Sequence, residues 1–396
     1  MGGFAKAGLR RLHDAMAQHV ARGHAPGLVT LVNRGGETHV DAVGLKAAGG
    51  TPMARDTIFR IASMTKPVAA AAAMILVEEG RLRLDDSVMP YLPELADMRV
   101  IRSLSGPVED TVAAKRAISL RDLLTFRLGA GAIMAPPGTY PLQAAQEAAG
   151  IAPGPGLTKV APDIYLRRLA SVPLVHQPGE GWLYHTGADV LGVLIARATG
   201  KSLGAFLEER IFGPLGMKDT GFSVPAAKLD RLASAYQGDG DTQALKLWDD
   251  AADSQWARPP VFEAGGGGLV STADDYLAFC RMMLGKGKLG GVRILSRPSV
   301  ELMTSDQLTA EQRASAPVFF RDSLSWGFGL SVCLRRTELW ETPGRFGWDG
   351  GYGTSGYSDP REDMVGILLT QRMMDSPSAP AAYSDFWTMA YAALDD

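Results

Sequence analysis

The sequence predicts an α/β protein of the α+β type. Its mainly antiparallel sheet is built from both termini and flanked by helices, and a mostly helical domain is inserted between. Three observations predict it. Short β-rich runs gather near both ends of the 396 residues, helical periodicity fills the middle, and no β-α-β alternation of the kind that builds a parallel sheet occurs. The expected division assigns residues 1–85 and 286–396 to the α/β part and 86–285 to the helical insertion. A chain of this length can bury a sizeable core.

In chain order, a charged helical pattern over about Ala5–Arg22 carries Leu9, Leu12 and Met16 on one side. Strands at Gly27–Asn33 and Glu37–Val43 flank Gly35-Gly36, which reads as a hairpin. The short β-rich run Thr57–Ile61 leads straight into an Ala-rich helix from Ser63 to Glu79, and Leu82–Pro93 is a connector. Residues 129–162 are dominated by Gly, Ala and Pro, as in Ala152-Pro-Gly-Pro-Gly156, and read as one long loop, either functional or disordered. Helical spacing returns at Pro162–Ser171, Ala188–Thr199, Leu203–Ile211, Ala273–Leu284 and Ser299–Met303. Strands are expected at Gly327–Leu334, Glu338–Glu341, Gly353–Asp359 and Met364–Thr370, before a closing helix over Ser384–Leu394. No internal repeat is present.

Composition removes several classes of function. A net charge of −3 and a pI near 6.1, without a Lys/Arg run, give nucleic acid nothing to bind. The apolar run Ala69–Val77 is far shorter than a membrane span. Cys280 and Cys333 make no disulfide framework and suit a reducing compartment. The N-terminus shows no apolar h-region and no small-residue cleavage site, so a cytoplasmic location is expected. No Cys/His/Asp group has metal-ligand spacing, and neither a metal nor another cofactor is expected. The oligomeric state is not legible.

Three segments could carry chemistry. In Ser63-Met-Thr-Lys66, a helix starting at the serine places the lysine amine three residues on, within reach of the hydroxyl. The helix N-terminus supplies unpaired N–H groups beside it, which stabilise an oxyanion. Such a pair works at neutral pH only if the site lowers the lysine pKa by burial or nearby positive charge. The same four residues alone also describe a capping serine followed by a solvated lysine. Tyr184 lies in Trp182-Leu-Tyr-His-Thr186 at the entry of an apolar helix, where a phenol can exchange protons or simply pack. Phe346-Gly-Trp-Asp-Gly-Gly-Tyr-Gly-Thr354 is Gly-rich, which suits either a hairpin or a backbone that substrate approaches closely.

Together these segments resemble the serine β-lactamase and penicillin-binding-protein superfamily, in its class C-like branch, and most of all family VIII carboxylesterases. The resemblance spans almost the whole chain. It rests on Asp56-Thr-Ile-Phe-Arg-Ile-Ala-Ser-Met-Thr-Lys-Pro67, on Pro178-Gly-Glu through Thr199-Gly-Lys-Ser-Leu203, on Ile211-Phe-Gly-Pro-Leu-Gly-Met-Lys-Asp-Thr220, and on Gly265-Gly-Gly-Gly-Leu-Val-Ser-Thr272. It implies a β-lactamase/transpeptidase-like fold with Ser63 as the acylated nucleophile and Lys66 as its proton partner. Tyr184 would be the base toward Ser63 and the leaving group, and the backbone N–H groups of Ser63 and Gly351 would form the oxyanion hole. Trp348-Asp349-Gly350 stands where β-lactamases carry Lys-Thr-Gly, and Thr186 stands where they carry Asn. With His185 these residues are expected to bind substrate. A tryptophan in place of the cation favours uncharged acyl and alcohol groups, and Asp349 would further repel carboxylates if it faced the pocket. The expected substrate is a small short-chain ester. The alternatives are a β-lactamase, an amidase or peptidase on D-residues, an acyltransferase, or a slowly acylated penicillin-recognising protein without turnover.

Other candidates carry less. His13, His19 and His24 fall on the first helix, His176 reads as structural, and no Gly-x-Ser-x-Gly elbow exists. Gly200-Lys201-Ser202 mimics the end of a P-loop but has Ile195 where glycine is required. Ser355 lacks a lysine one turn away.

Overall fold

The computed structural model describes residues 3–239 and 244–395. Its main sheet contains β1 (Gly27–Arg34), β2 (Glu37–Gly44), β3 (Leu324–Trp326), β4 (Ser331–Cys333), β5 (Phe346–Gly350), β6 (Thr354–Asp359) and β7 (Met364–Thr370). The spatial order is β3-β4-β5-β6-β7-β1-β2, antiparallel throughout. Both ends of the chain meet where β1 pairs with β7, from Leu28 opposite Thr370 to Arg34 opposite Met364.

A period of two divides the apolar residues of these central strands between two layers. Leu28, Val32, Met364 and Leu368 face α1 (Lys6–Ala21) and α5 (Ala381–Ala392), where they meet Leu12, Met16, Phe386 and Trp387. Val29, Leu31, Val365, Ile367 and Leu369 face the other way, into a larger core shared with α2 (Thr65–Glu78), α3 (Thr186–Thr199) and α4 (Ala273–Leu284). The α2 helix is buried from Thr65 through Leu76. Its five alanines Ala69–Ala73 have no exposed surface, so neighbouring helices close in around a thin rod. Among the described residues no single helix is long and apolar enough to cross a membrane.

Three expectations need correction. Glu338–Glu341 is not a strand: Glu341 turns inward, accepts hydrogen bonds from Ser323 and Thr337, pairs with Arg321, and so pins a loop. The run Gly327–Leu334 shortens to Ser331–Cys333, since Gly329 takes a φ of 69°. Residues 129–162 are not one loop, because Pro141–Ala148 is a helix with proline in its first turn and Leu142 and Gln146 buried. The Gly-rich segment Phe346–Thr354 is a hairpin in which β5 turns back into β6, with Gly350 opposite Thr354.

β4 pairs with β5 only at Gly347 and Phe346, so the end Trp348–Gly350 is left as an open edge. The turn carrying Ser63 packs along it. A Cβ at Gly350 would lie 2.4 Å from the Ile61 carbonyl oxygen and 2.1 Å from Thr354 Oγ1, so only glycine lets the two backbones approach. Gly350→Ala should therefore lower unfolding stability by about 1–3 kcal/mol through overpacking. Denaturant melts at constant m-value measure it, and an unchanged midpoint would show that the approach is not needed.

Candidate active site

The strand Phe59–Arg60 pairs antiparallel with Val270–Ser271, which brings the Gly265–Thr272 segment alongside the residues leading to Ser63. Ser63 itself sits in a 3-10 turn, Ala62–Met64, and α2 begins only at Thr65. Sequence reasoning began the α-helix at Ser63. The turn keeps the three-residue spacing but places Ala62 at a φ of 44°, a backbone state L-residues rarely adopt.

Lys66 is 1% exposed, and its amine is 2.8 Å from Ser63 Oγ. It also contacts the Gly266 carbonyl oxygen, and His185 Nδ1 lies 3.3 Å away. Burial pulls its pKa from 10.5 down to about 7, against the opposing pull of the Asp189 charge. The condition set by the sequence, a lysine able to release its proton near neutrality, is thus met by desolvation.

Tyr184 enters from the segment before α3. Its carbonyl accepts from Ala132 N at 2.9 Å, and Leu183 N donates to Phe126 O at 3.0 Å, which fixes the approach. The phenol accepts from Trp348 Nε1 at 2.6 Å and lies beside the Ser63 side chain. The Lys66 amine lies 4.6 Å from the centre of the phenol ring. Burial raises the Tyr184 pKa, and the Ser63 and Trp348 side chains only partly offset it. The sequence expectation of Tyr184 as the base requires a phenolate, and burial opposes it. The shift favours the neutral phenol.

Trp348 closes one side of the site. Its ring is 5.7 Å from that of Tyr184, and Phe319 lies 4.8 Å from Tyr184 and 6.4 Å from Trp348, centre to centre. Ser63, Tyr184, His185, Trp348 and Gly351 all line one cavity of about 1070 Å³. An added Cβ at Gly351 would meet nothing within 4 Å, so that side of the residue is open.

Of the other expected binding residues, Asp349 and His185 also line this cavity, whereas Gly350 and Thr186 do not. Asp349 is one residue out of phase with Trp348 on β5 and points toward α5. Its carboxylate accepts from Ser355 Oγ at 2.6 Å and Tyr357 Oη at 3.3 Å, and Ser355 in turn accepts from Trp387 Nε1. It does not face Tyr184, and Ser355 is consumed by this bonding and is no rival nucleophile. Thr186 is 2% exposed and is not among the residues that line the cavity. His185 lines the cavity, yet both ring nitrogens are engaged, Nδ1 with Lys66 and Nε2 with Asp189 Oδ2 at 3.1 Å.

Two residues escaped sequence reasoning. Asp189 is buried and lies one helical turn beyond His185, a spacing that could have pointed to the pair. Burial acts to raise its pKa, but His185, Lys66 and the Gly266 N–H outweigh that and hold the carboxyl below its ordinary range. Gly266 N donates to Asp189 Oδ1 at 2.8 Å. A Cβ there would stand 2.6 Å from that oxygen, which explains a glycine in the run Gly265–Gly268.

Comparison with known proteins places this geometry. The family described as Beta-lactamase matches residues 12–385. Protein Rv1367c of Mycobacterium tuberculosis is 41% identical over 362 residues, covering 89% of this chain and 85% of that protein. Esterase EstB of Burkholderia gladioli is 31% identical over 391 residues, covering 93% and 92%. Among solved structures, EstCE1, a hydrolase with promiscuous acyltransferase activity, superposes with a TM-score of 0.79 at 25% identity, covering 98% of this chain and 99% of that one.

A desolvated lysine costs stability wherever the unfolded chain binds a proton that the folded chain resists. With a folded value near 7 and an unfolded value near 10.5, that penalty is fully present below pH 7 and fades as pH rises toward 10.5. Lys66→Met should accordingly stabilise the fold by about 1–3 kcal/mol at pH 6. The gain should shrink between pH 7 and 10. Melts across that range check the sign, and a gain independent of pH would contradict it.

Proposed function

Because the chain belongs to the Beta-lactamase family and is a serine hydrolase of that superfamily, we propose that it cleaves small, short-chain carboxylic esters through an acyl-enzyme on Ser63. The observation that carries this reading is the buried Lys66 amine, 2.8 Å from Ser63 Oγ and with a pKa near 7. Roughly half the molecules then hold a free lone pair at neutral pH, and the hydroxyl has a base without any histidine.

The steps follow from the contacts. Ser63 Oγ forms a bond to the ester carbonyl carbon while its proton passes to the Lys66 nitrogen and the carbonyl π pair moves to oxygen. The backbone N–H groups of Ser63 and Gly351 receive that oxyanion. As the alkoxide leaves, the neutral Tyr184 phenol gives it a proton, and the neighbouring Lys66 ammonium returns a proton to the phenolate, which restores the free amine and the neutral phenol. Water enters by the reverse path and frees the acid.

Two features favour an ester over a β-lactam. The β5 position that faces Tyr184 carries the indole of Trp348, so a substrate carboxylate finds no ammonium there. EstB, similar over nearly the whole chain, is named an esterase. The rings of Tyr184, Phe319 and Trp348 crowd one wall beside Ser63, which suits a short acyl group. The alcohol portion has the remaining cavity. A second reading, transfer of the acyl group to an alcohol instead of water, draws support from the promiscuous acyltransferase activity of EstCE1.

Ser63→Ala should reduce p-nitrophenyl acetate turnover by a factor on the order of 10³ or more and abolish labelling by a fluorophosphonate. Full activity in that variant would end the reading. Among p-nitrophenyl esters of graded length, kcat/KM should peak at two to four acyl carbons and exceed that for nitrocefin. Comparable efficiency on nitrocefin would mean that the indole does not select against β-lactams.

A further inference from the structure

His185 has a backbone conformation that needs explaining. Its φ of 87° and ψ of −66° put it at the centre of a γ-turn, closed by Thr186 N donating to the Tyr184 carbonyl at 3.3 Å. For a residue with a side chain this turn is strained, and such strain persists where surrounding contacts hold it. Here it aims two consecutive side chains, Tyr184 and His185, at the same amine. The ring of His185 is then locked from behind: Nε2 meets Asp189 Oδ2 at 3.1 Å, and Asp189 Oδ1 takes the Gly266 N–H at 2.8 Å. The Gly266 carbonyl returns to Lys66, closing a circuit of Lys66, His185, Asp189 and Gly266.

The hydrogens can be counted. An ionised Asp189 accepts only, so the proton of a neutral imidazole sits on Nε2, and Nδ1 presents a lone pair to Lys66. A neutral amine has two N–H bonds and one lone pair. With one N–H given to His185 Nδ1 and the other to the Gly266 carbonyl, the lone pair is left for the Ser63 hydroxyl. We propose that His185, held in one tautomer by Asp189, is a positioning residue that orients the Lys66 amine as base toward Ser63. The proposal rests on the serine-hydrolase reading above and assigns His185 a part in it other than touching substrate. The titratable groups facing the pair are Lys66 from α2, Tyr184 beside it, and Tyr165, which lies near Asp189. The Asp189 charge pulls the Lys66 pKa up against its burial, so the circuit also bears on where the amine gains its proton.

Three substitutions test this. In Asp189→Asn the amide oxygen can keep the Gly266 N–H while its NH2 faces His185 Nε2, which drives the ring proton to Nδ1 and turns an acceptor toward Lys66 into a donor. His185→Asn keeps an acceptor at the Nδ1 position and tolerates a positive φ, whereas His185→Leu keeps bulk and removes the acceptor. The readout is the fluorophosphonate labelling rate of Ser63 from pH 5 to 9, with kcat and KM on p-nitrophenyl acetate alongside. Labelling and kcat should fall about 10- to 100-fold in Asp189→Asn and His185→Leu with KM little changed, and stay within about threefold in His185→Asn. The acid limb of the profile should move in the first two variants. Equal rates in the Leu and Asn variants, both fast or both slow, would overturn the proposal. So would an unchanged rate and pH profile in Asp189→Asn, while the unaltered chain still labels. No labelling of the unaltered chain would instead overturn the hydrolase reading, and the proposal with it.

Discussion

The site depends on keeping one primary amine out of water. An ammonium in a dry interior is costly unless paired, and Lys66 has no carboxylate in direct contact; its contacts are a hydroxyl, an imidazole and a carbonyl. The surrounding architecture enforces this. The alanine run of α2 lets its neighbours press close, the Gly265–Thr272 segment lies against the residues before the helix, and Gly350 lets the edge of β5 approach. Asp189 stands one residue removed, behind His185, where it tempers the desolvation without cancelling it. An amine with a carboxylate in contact would stay protonated and be useless as a base. A site with no nearby anion at all would carry a larger folding cost.

The aromatic wall has the converse effect on Tyr184. Phe126, Trp182, Trp326, Phe319 and Trp348 surround the phenol and hold it neutral. In the proposed mechanism, acid and base roles are divided by environment: the same dryness that favours the free amine favours the neutral phenol. Trp348 links the two halves of this arrangement. Its indole N–H is the donor that orients the phenol, in the place where a cation would otherwise both support a phenolate and hold a substrate carboxylate. Exchanging ammonium for indole thus changes the protonation state of the tyrosine and the polarity of the pocket together.

Much of this was legible in the sequence, for reasons that can be stated residue by residue. The hairpin of β1 and β2 is marked by Gly35-Gly36, and β7 is a continuous apolar run, so both strands were readable. The three-residue spacing of Ser63 and Lys66 survives the difference between a 3-10 turn and an α-helix, so their contact was readable too. What failed depended on phase or on distant partners. β5 was hidden because Gly347 and Gly350 dilute its β-rich residues, and without its phase the inward turn of Asp349 toward Ser355 could not be seen. Thr186 was assigned by its place in a motif, whereas it is buried in the first turn of α3 and does not line the cavity. Glu341 and the helix Pro141–Ala148 likewise depend on tertiary contacts. The strained turn at His185 has no sequence signature, since an imidazole with a φ of 87° is held there by its surroundings.

The central claim is the protonation state of Lys66, and it can be observed without any substrate. With lysine labelled by 13C at the ε carbon, the Lys66 signal, assigned by its absence in Lys66→Met, can be followed against pH. The account predicts a single resonance titrating with a midpoint near 7, well separated from the surface lysines. A Lys66 resonance titrating with the surface lysines, near 10, would contradict it.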